Sequence, residues 1–319
     1  MLKKFFLAML IFFFMIIFSL IDLRSDSEIS SNFDDSIENN NINEKKEIEN
    51  LNINYKVVGK FSELLSLNAN ETELLEFISI YYQNINSNTL SLLIIKFIDF
   101  QFNNLSIHDQ MIQNNNIQNS LIDEYGINCQ ILDLRKLDDI QLRRRLNSLY
   151  LRGYIISFDN GKFHLQINYN YFLKYKDKLN DELITFLEIK NNTYNAYENI
   201  RIQWEYVYNN IYISELFLNK FSNSILYPEI YSIYINNVDF LIYGTDYVNI
   251  FDEQNKLIEE LQEQYKKIVL NEKETIFSSI FSSYYSELIN SEFTLDVNIH
   301  DKRESLFNII KEKYKKNRD

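Results

Sequence analysis

The chain has 319 residues, 46% of them hydrophobic and 24% charged, which is enough material for one large or two small domains with a buried core. Its net charge of −13 argues against a nucleic-acid partner, because contacts to phosphates need a basic surface. The single cysteine, Cys129, excludes an intramolecular disulfide, and we interpret it as a small core residue.

Residues 1–21 have the composition of a membrane segment. Lys3 and Lys4 precede an apolar run from Phe5 to Ile21, which is at the lower limit for crossing a bilayer and longer than an ordinary signal-peptide core. No cleavage site of the Ala-x-Ala kind follows. We therefore predict an uncleaved signal anchor, with a cleaved secretion signal as the alternative. In either case the two lysines stay inside and the rest of the chain is extracytoplasmic.

Residues 22–52 form the next segment, rich in Ser, Asn, Asp and Glu and nearly free of large apolar side chains. Such a segment cannot bury enough surface to offset the entropy of ordering. We predict a disordered acidic and polar linker that holds a folded domain away from the membrane.

The first part of the folded region, residues 53–152, has helical periodicity. Apolar residues share one helix face over Glu71–Gln83, and an almost wholly apolar run over Leu90–Phe102 predicts a central helix buried on most sides. Asp138–Leu151 begins with acids that suit a helix N-terminus. These patterns predict an N-terminal helical half.

Residues 153–170 carry a hairpin signal. Phe163, Leu165 and Ile167 alternate with polar residues, and Asp159-Asn160-Gly161 supplies residues that tolerate a tight turn. A hairpin alone is marginal in water. Two other stretches alternate in the same way, Ile127–Leu132 and Phe293–Ile299, and either is a candidate strand to pair with it.

Helical patterns return over residues 171–319 and define a repeat-like C-terminal half. The predicted helices are Asp181–Ile189, Tyr194–Tyr208, Ile211–Phe221, Tyr227–Tyr243, Asp252–Leu270, Thr275–Leu288 and Glu304–Lys315. The predicted fold class is therefore mainly α: a helical domain with a small β-hairpin or sheet, preceded by a transmembrane signal anchor and a disordered linker.

Residues that could carry catalysis are scattered. His108, His164 and His300 match no zinc spacing, and nucleophile-elbow, P-loop and dinucleotide motifs are absent from the sequence. A hydrolase carboxylate pair stays open, but nothing singles one out. Arg143-Arg144-Arg145 before a hairpin suggests a DNA-binding helix followed by a wing. The export signal and the net negative charge instead favour a solvent-exposed helix face. We predict no catalytic residues, no metal and no cofactor.

Aromatic residues are dense at helical spacing around Trp204. This pattern is typical of a core, but exposed members can line a carbohydrate or peptide groove. The candidate partner-binding residues are Trp204, Tyr206, Tyr208 and Tyr212.

Ile211–Thr245 resembles the helix–turn–helix of tetratricopeptide-type envelope proteins. The residues that carry the resemblance are Phe217, the turn Phe221-Ser222-Asn223-Ser224 and Tyr231, with Ser222 standing where proline is common. More broadly, Gly153–Thr245 is similar to an uncharacterised group of exported proteins from Gram-positive bacteria, through Gly153-Tyr154, Asn160-Gly161 and Asn168-Tyr169. The resemblance implies export and a helical scaffold, and no activity.

The sequence thus predicts a non-catalytic, single-pass membrane protein, or a secreted one if the N-terminal segment is cleaved. Its extracytoplasmic domain would bind an envelope protein or a cell-wall polymer through a helical surface. The alternative is a wall-acting hydrolase whose carboxylate pair is not identified.

Overall fold

The computed structural model describes residues 51–126, 132–159, 161–197, 203–245, 248–270 and 275–315. The predicted signal anchor, Cys129 and the predicted linker up to residue 50 lie outside these ranges and stay predictions. Leu51 and Asn52, which the prediction placed in the linker, are helical. The described residues are mainly helical, with one two-stranded antiparallel sheet, as the fold class predicted.

Within the described ranges, five α-helices precede the sheet. They are α1 (51–66), α2 (Glu71–Tyr81), α3 (Ser87–Ile112), α4 (Asn115–Tyr125) and α5 (Ile140–Leu151), with a short 3-10 turn over Leu134–Lys136 before α5. Each of α2 to α5 starts at a side-chain cap, because the amide or carboxylate oxygen of Asn70, Asn86, Asn114 or Asp139 accepts from a backbone N–H of the first turn.

The hairpin consists of β1 (Tyr154–Asp159) and β2 (Lys162–Ile167), with Tyr154 opposite Ile167 and Phe158 opposite Phe163. The prediction of a strand over Phe293–Ile299 is wrong. Asp296 caps a helix that begins at Val297, so the alternating stretch is a turn followed by a helical start. Of the other predicted strand, Ile127–Leu132, only Leu132 lies within the described residues, and it is not in a strand.

The outer edge of β2 is covered by side chains from α3 and α4. The Gln118 amide accepts from the N–H of Phe163 at 2.9 Å and donates to its carbonyl at 2.8 Å, as a neighbouring strand would. Asp109 accepts from the N–H of Leu165 at 2.7 Å. On this edge of the sheet, helix side chains therefore satisfy the backbone groups that a third strand would otherwise pair.

A 3-10 segment, Tyr169–Lys178, is followed by six helices in the part of the chain that the structure describes. These are α6 (Asp181–Tyr197), α7 (Trp204–Lys220), α8 (Tyr227–Tyr243), α9 (Glu259–Leu270), α10 (Ile276–Asn290) and α11 (Val297–Tyr314). The predicted helix Tyr194–Tyr208 is wrong as a single element, because Gln203 is the non-helical N-cap of α7, which begins at Trp204. Residues 252–258, predicted as helical, form turns and isolated bridges before α9.

Helix α3 is central to the packing. Leu90, Leu93, Ile94 and Phe97 on it are fully buried, which confirms the prediction of a buried central helix. Among the described helices, α3 is the one long and apolar enough to cross a bilayer, a test that the core helix of a folded domain also passes. Its contacts with α2, α4 and β2 place it within the core.

Candidate functional site

The four aromatic residues predicted to bind a partner divide into two pairs. Trp204 and Tyr208 are buried: the indole stacks on the ring of Phe240 at 5.1 Å, and the Tyr208 ring lies 6.4 Å from that of Phe277. Tyr206 and Tyr212 are half-buried. Trp204 and Tyr208 therefore act as core residues, and the accessible surface of the set belongs to Tyr206 and Tyr212.

A buried carboxylate, Glu71, lies where α2, α3 and the start of the hairpin meet. Its Oε1 is 2.7 Å from Nε2 of His108 and accepts from the Tyr154 hydroxyl at 3.2 Å. Its Oε2 accepts from Nη1 of Arg152 at 3.1 Å. The side chain of Glu71 is 5% exposed, so the ion pair with Arg152 is shielded from water on the acid's side.

The protonation of this cluster follows from its contacts. Burial acts to raise the pKa of Glu71, but the hydrogen bonds from His108 and from its own backbone, with the charges of His108 and Arg152, lower that pKa below its ordinary value. Burial first, then the neighbouring Glu71 charge, raises the pKa of the Tyr154 hydroxyl. Glu71 is therefore an ionised acceptor and Tyr154 a neutral donor at neutral pH.

This cluster can hold the guanidinium of Arg152 in a fixed orientation. Within the described structure the His108 ring is hydrogen-bonded to Glu71, and no hydroxyl or thiol nucleophile is paired with it there. The described part of the chain contains no group of three or more His, Cys, Asp or Glu side chains that could hold a metal ion. Sequence analysis missed Glu71, whose role depends on partners 37 and 81 residues away.

A second buried carboxylate, Glu215 on α7, has a structural role. It is fully buried and accepts from the backbone N–H groups of Ile276 and Phe277, which open α10. The hydroxyls of Tyr234 and Tyr314 donate to it at 3.1 and 3.0 Å. Four donors compensate the buried charge, and together they join α7, α8, α10 and α11.

A cleft of about 540 Å³ lies at the turn between α7 and α8, and we call it the helix-turn cleft. The first turns of α3 and the start of α6 form its other walls. Half of its lining consists of amide and hydroxyl side chains: Asn88, Ser91, Asn180, Ser222, Asn223 and Ser224. Leu92, Ile95, Phe221 and Ile225 add apolar surface, and Glu182 and Lys220 add charge.

Hydrogen bonds fix the walls of the helix-turn cleft. The backbone N–H of Asn180 donates to Ser91 Oγ at 3.0 Å, and its amide donates to Asn88 at 3.1 Å, which ties α6 to α3. Ser224 donates to Glu182, which ties the turn to α6. Asn223 is exposed and forms no side-chain hydrogen bond with any residue that the structure describes.

The turn Phe221-Ser222-Asn223-Ser224 was singled out by resemblance, and it connects two helices as a helix pair requires. The walls supplied by α3 and α6 were not foreseen, because Asn88 and Asn180 are 92 residues apart and nothing in their neighbourhoods marks them. Comparisons with protein families, with curated proteins and with solved structures find no match to this chain.

Proposed function

We propose that the chain is a non-catalytic, membrane-anchored extracytoplasmic protein that binds an envelope protein or a cell-wall polymer through a helical surface. The helix-turn cleft is that surface. The observation that carries the proposal is its lining, in which amide and hydroxyl groups from three separate segments converge on one open depression.

Of the two partner classes, the lining favours a polymer. Protein interfaces derive most of their affinity from buried Trp, Tyr and Arg anchors, and none of these lines the cleft. Amides and hydroxyls instead exchange hydrogen bonds with the hydroxyl and acetamido groups of a glycan, and the half-buried ring of Phe221 offers an apolar face for a sugar.

The same lining supports binding without catalysis. Glycoside hydrolysis uses two carboxyl groups on either side of the bond that is cleaved. Glu182 is the one carboxylate among the residues that line the cleft, and the Ser224 hydroxyl already donates to it. A polymer lying there would meet hydrogen-bonding groups, but no acid and base pair.

Co-sedimentation with insoluble cell wall from a Gram-positive bacterium tests the proposal, with the full chain held in neutral phosphatidylcholine nanodiscs. We expect the wild type to sediment with the wall. The double variant Asn88→Ala/Asn223→Ala should bind about tenfold more weakly, since it removes two hydrogen-bonding side chains. Asn84→Ala/Asn290→Ala is the matched control, because both residues are exposed and neither lines the cleft.

Equal binding by the two double variants, or no binding of the wild type to the wall, would contradict the proposal. Release of soluble sugar fragments during the incubation would instead support the alternative of a wall-acting hydrolase.

A further inference from the structure

A second depression lies between α3 and α5, on a different part of the molecule from the helix-turn cleft. It has a volume of about 360 Å³, and we call it the arginine pocket. Ile107 and Met111 of α3 and Leu149 of α5 give it an apolar floor. Arg144, Arg145 and Arg152 line it as well, together with His108 and Ser148.

The arginine pocket is positively charged, whereas the chain as a whole is negatively charged. The chain has 45 acidic and 32 basic residues, yet the pocket is lined by three arginines and no carboxylate. Glu71 lies behind Arg152 and balances its charge. Arg144 and Arg145 are exposed and form no ion pair with any residue in the described ranges, so they supply the net positive charge.

Arg152 is held in place before any ligand arrives. Its Nη1 donates to Glu71 and its Nε donates to the carbonyl of Ser148 at 3.1 Å. A guanidinium has five N–H donors in a planar fork, so three remain available. A spacing of four residues places Arg144, Ser148 and the C-cap residue Arg152 on the same side of α5.

We propose that the arginine pocket binds a small amphiphilic oxyanion, a carboxylate or phosphate monoester carried on a short apolar chain. The guanidinium groups of Arg144, Arg145 and Arg152 bind the oxyanion, because planar donor pairs match carboxylate and phosphate oxygens. The apolar chain covers Ile107, Met111 and Leu149. This site is separate from the helix-turn cleft and goes beyond the function proposed there.

The size and the floor of the pocket fit such a ligand. A volume of 360 Å³ lies within the usual range for small-molecule sites and holds about a dozen non-hydrogen atoms. Ile107 is 63% exposed, so it gains contact when an apolar chain covers it. An inorganic anion would leave this floor in contact with water, whereas a neutral alcohol would leave the arginines without a counter-charge.

Isothermal titration calorimetry tests the proposal, with the full chain in neutral phosphatidylcholine nanodiscs. The probes are hexyl phosphate and heptanoate, with inorganic phosphate and hexanol representing the two halves of the ligand. We expect saturable binding of at least one amphiphile, about tenfold or more tighter than either half. Ile107→Ser should weaken binding of the amphiphile and leave inorganic phosphate unchanged.

The decisive variants lie side by side on α5. Arg144→Gln/Arg145→Gln should weaken binding about tenfold or more, because charge-assisted hydrogen bonds are lost. Arg143→Gln is the control, since the Arg143 guanidinium donates to the carbonyl of Arg135 at 3.2 Å and does not line the pocket. Matching thermal melts for all three proteins would show that folding is unchanged.

Equal affinities of the double variant and of Arg143→Gln would overturn the proposal. So would amphiphile binding no tighter than that of inorganic phosphate. A third arm uses vesicles of phosphatidylglycerol and phosphatidylcholine. Arginine-dependent binding to those vesicles, without binding of either soluble amphiphile, would assign the arginines to a bilayer surface and overturn the proposal too.

Discussion

Nε2 of His108 lies 2.7 Å from Oε1 of Glu71, and this contact joins the long helix α3 to the first turn of α2. An ionised carboxylate can only accept, so the proton of this hydrogen bond belongs to the imidazole. With Arg152 on the other oxygen, the carboxylate has a donor on each side. Removal of the acid would leave a guanidinium and an imidazole without their shared acceptor.

The first prediction concerns the pH dependence that Glu71 gives to folding. Because the pKa of Glu71 is lowered in the folded state from its ordinary value of 4.5, its stabilisation is complete above that value and is lost as pH falls through the folded pKa. Glu71→Gln should lower the free energy of unfolding by about 3 kcal/mol at neutral pH. The difference from wild type should shrink below about pH 4.5 in urea titrations.

The exposed Glu76 on the same helix provides the control for that experiment. Glu76→Gln should change the free energy of unfolding by less than about 0.5 kcal/mol. A Glu71→Gln difference that stays constant from neutral pH to pH 3 would contradict the assigned ionisation.

The second prediction concerns Glu215. In Glu215→Gln either orientation of the amide places its NH₂ against the backbone N–H of Ile276 or of Phe277, and neither N–H can become an acceptor. We expect a loss of about 3 kcal/mol or more in unfolding free energy, with faster amide exchange at the start of α10. Glu205→Gln on the exposed face of α7 is the control. If both variants are equally stable, the carboxylate does not hold these helices together.

The third prediction concerns the covered edge of β2. Gln118→Ala removes the acceptor of the Phe163 N–H, and we expect about 2 kcal/mol of destabilisation. Hydrogen exchange should accelerate at Phe163 more than at Leu165. Asp109→Ala should give the reverse order, because Asp109 accepts from Leu165. The same exchange pattern in both variants would mean that the two side chains do not act on separate backbone groups.

The fourth prediction compares two glycines with positive φ. A Cβ at Gly244 would lie 2.2 Å from the carbonyl oxygen of Val248, whereas one at Gly161 meets no atom within 4 Å. Gly161→Ala should therefore lower the free energy of unfolding by about 1 kcal/mol, from backbone strain alone. Gly244→Ala should lower the free energy of unfolding by about 1–3 kcal/mol more than Gly161→Ala does, because the chain after α8 must move to make room for the Cβ. Thermal denaturation that ranks the two variants equally would contradict this.

Local signals account for the helices that were predicted well. The predicted bounds of α8 match the observed ones, and the structure shows Pro228 in its first turn and Gly244 at its C-cap, where each residue favours a helix end. The failure at Phe293–Ile299 has a physical cause. Its alternation is too short to distinguish a strand from a helix, and the cap by Asp296 decides for the helix.

The sites were less accessible from sequence, because each depends on residues brought together by tertiary packing. Arg144, Ser148 and Arg152 share a face that their spacing already shows, but the floor from α3 does not follow from it. The aromatic density at Trp204 reflected core packing against Phe240. Composition alone cannot distinguish a ring that meets another helix from one that meets a partner.

The side chains that cover β2 also limit how this protein recognises others. A free sheet edge can recruit an extended peptide through backbone hydrogen bonds, as in β-augmentation. Here Gln118 and Asp109 already occupy the N–H groups of Phe163 and Leu165. An incoming peptide would have to displace them, so this edge of β2 is closed to β-augmentation and to edge-to-edge aggregation.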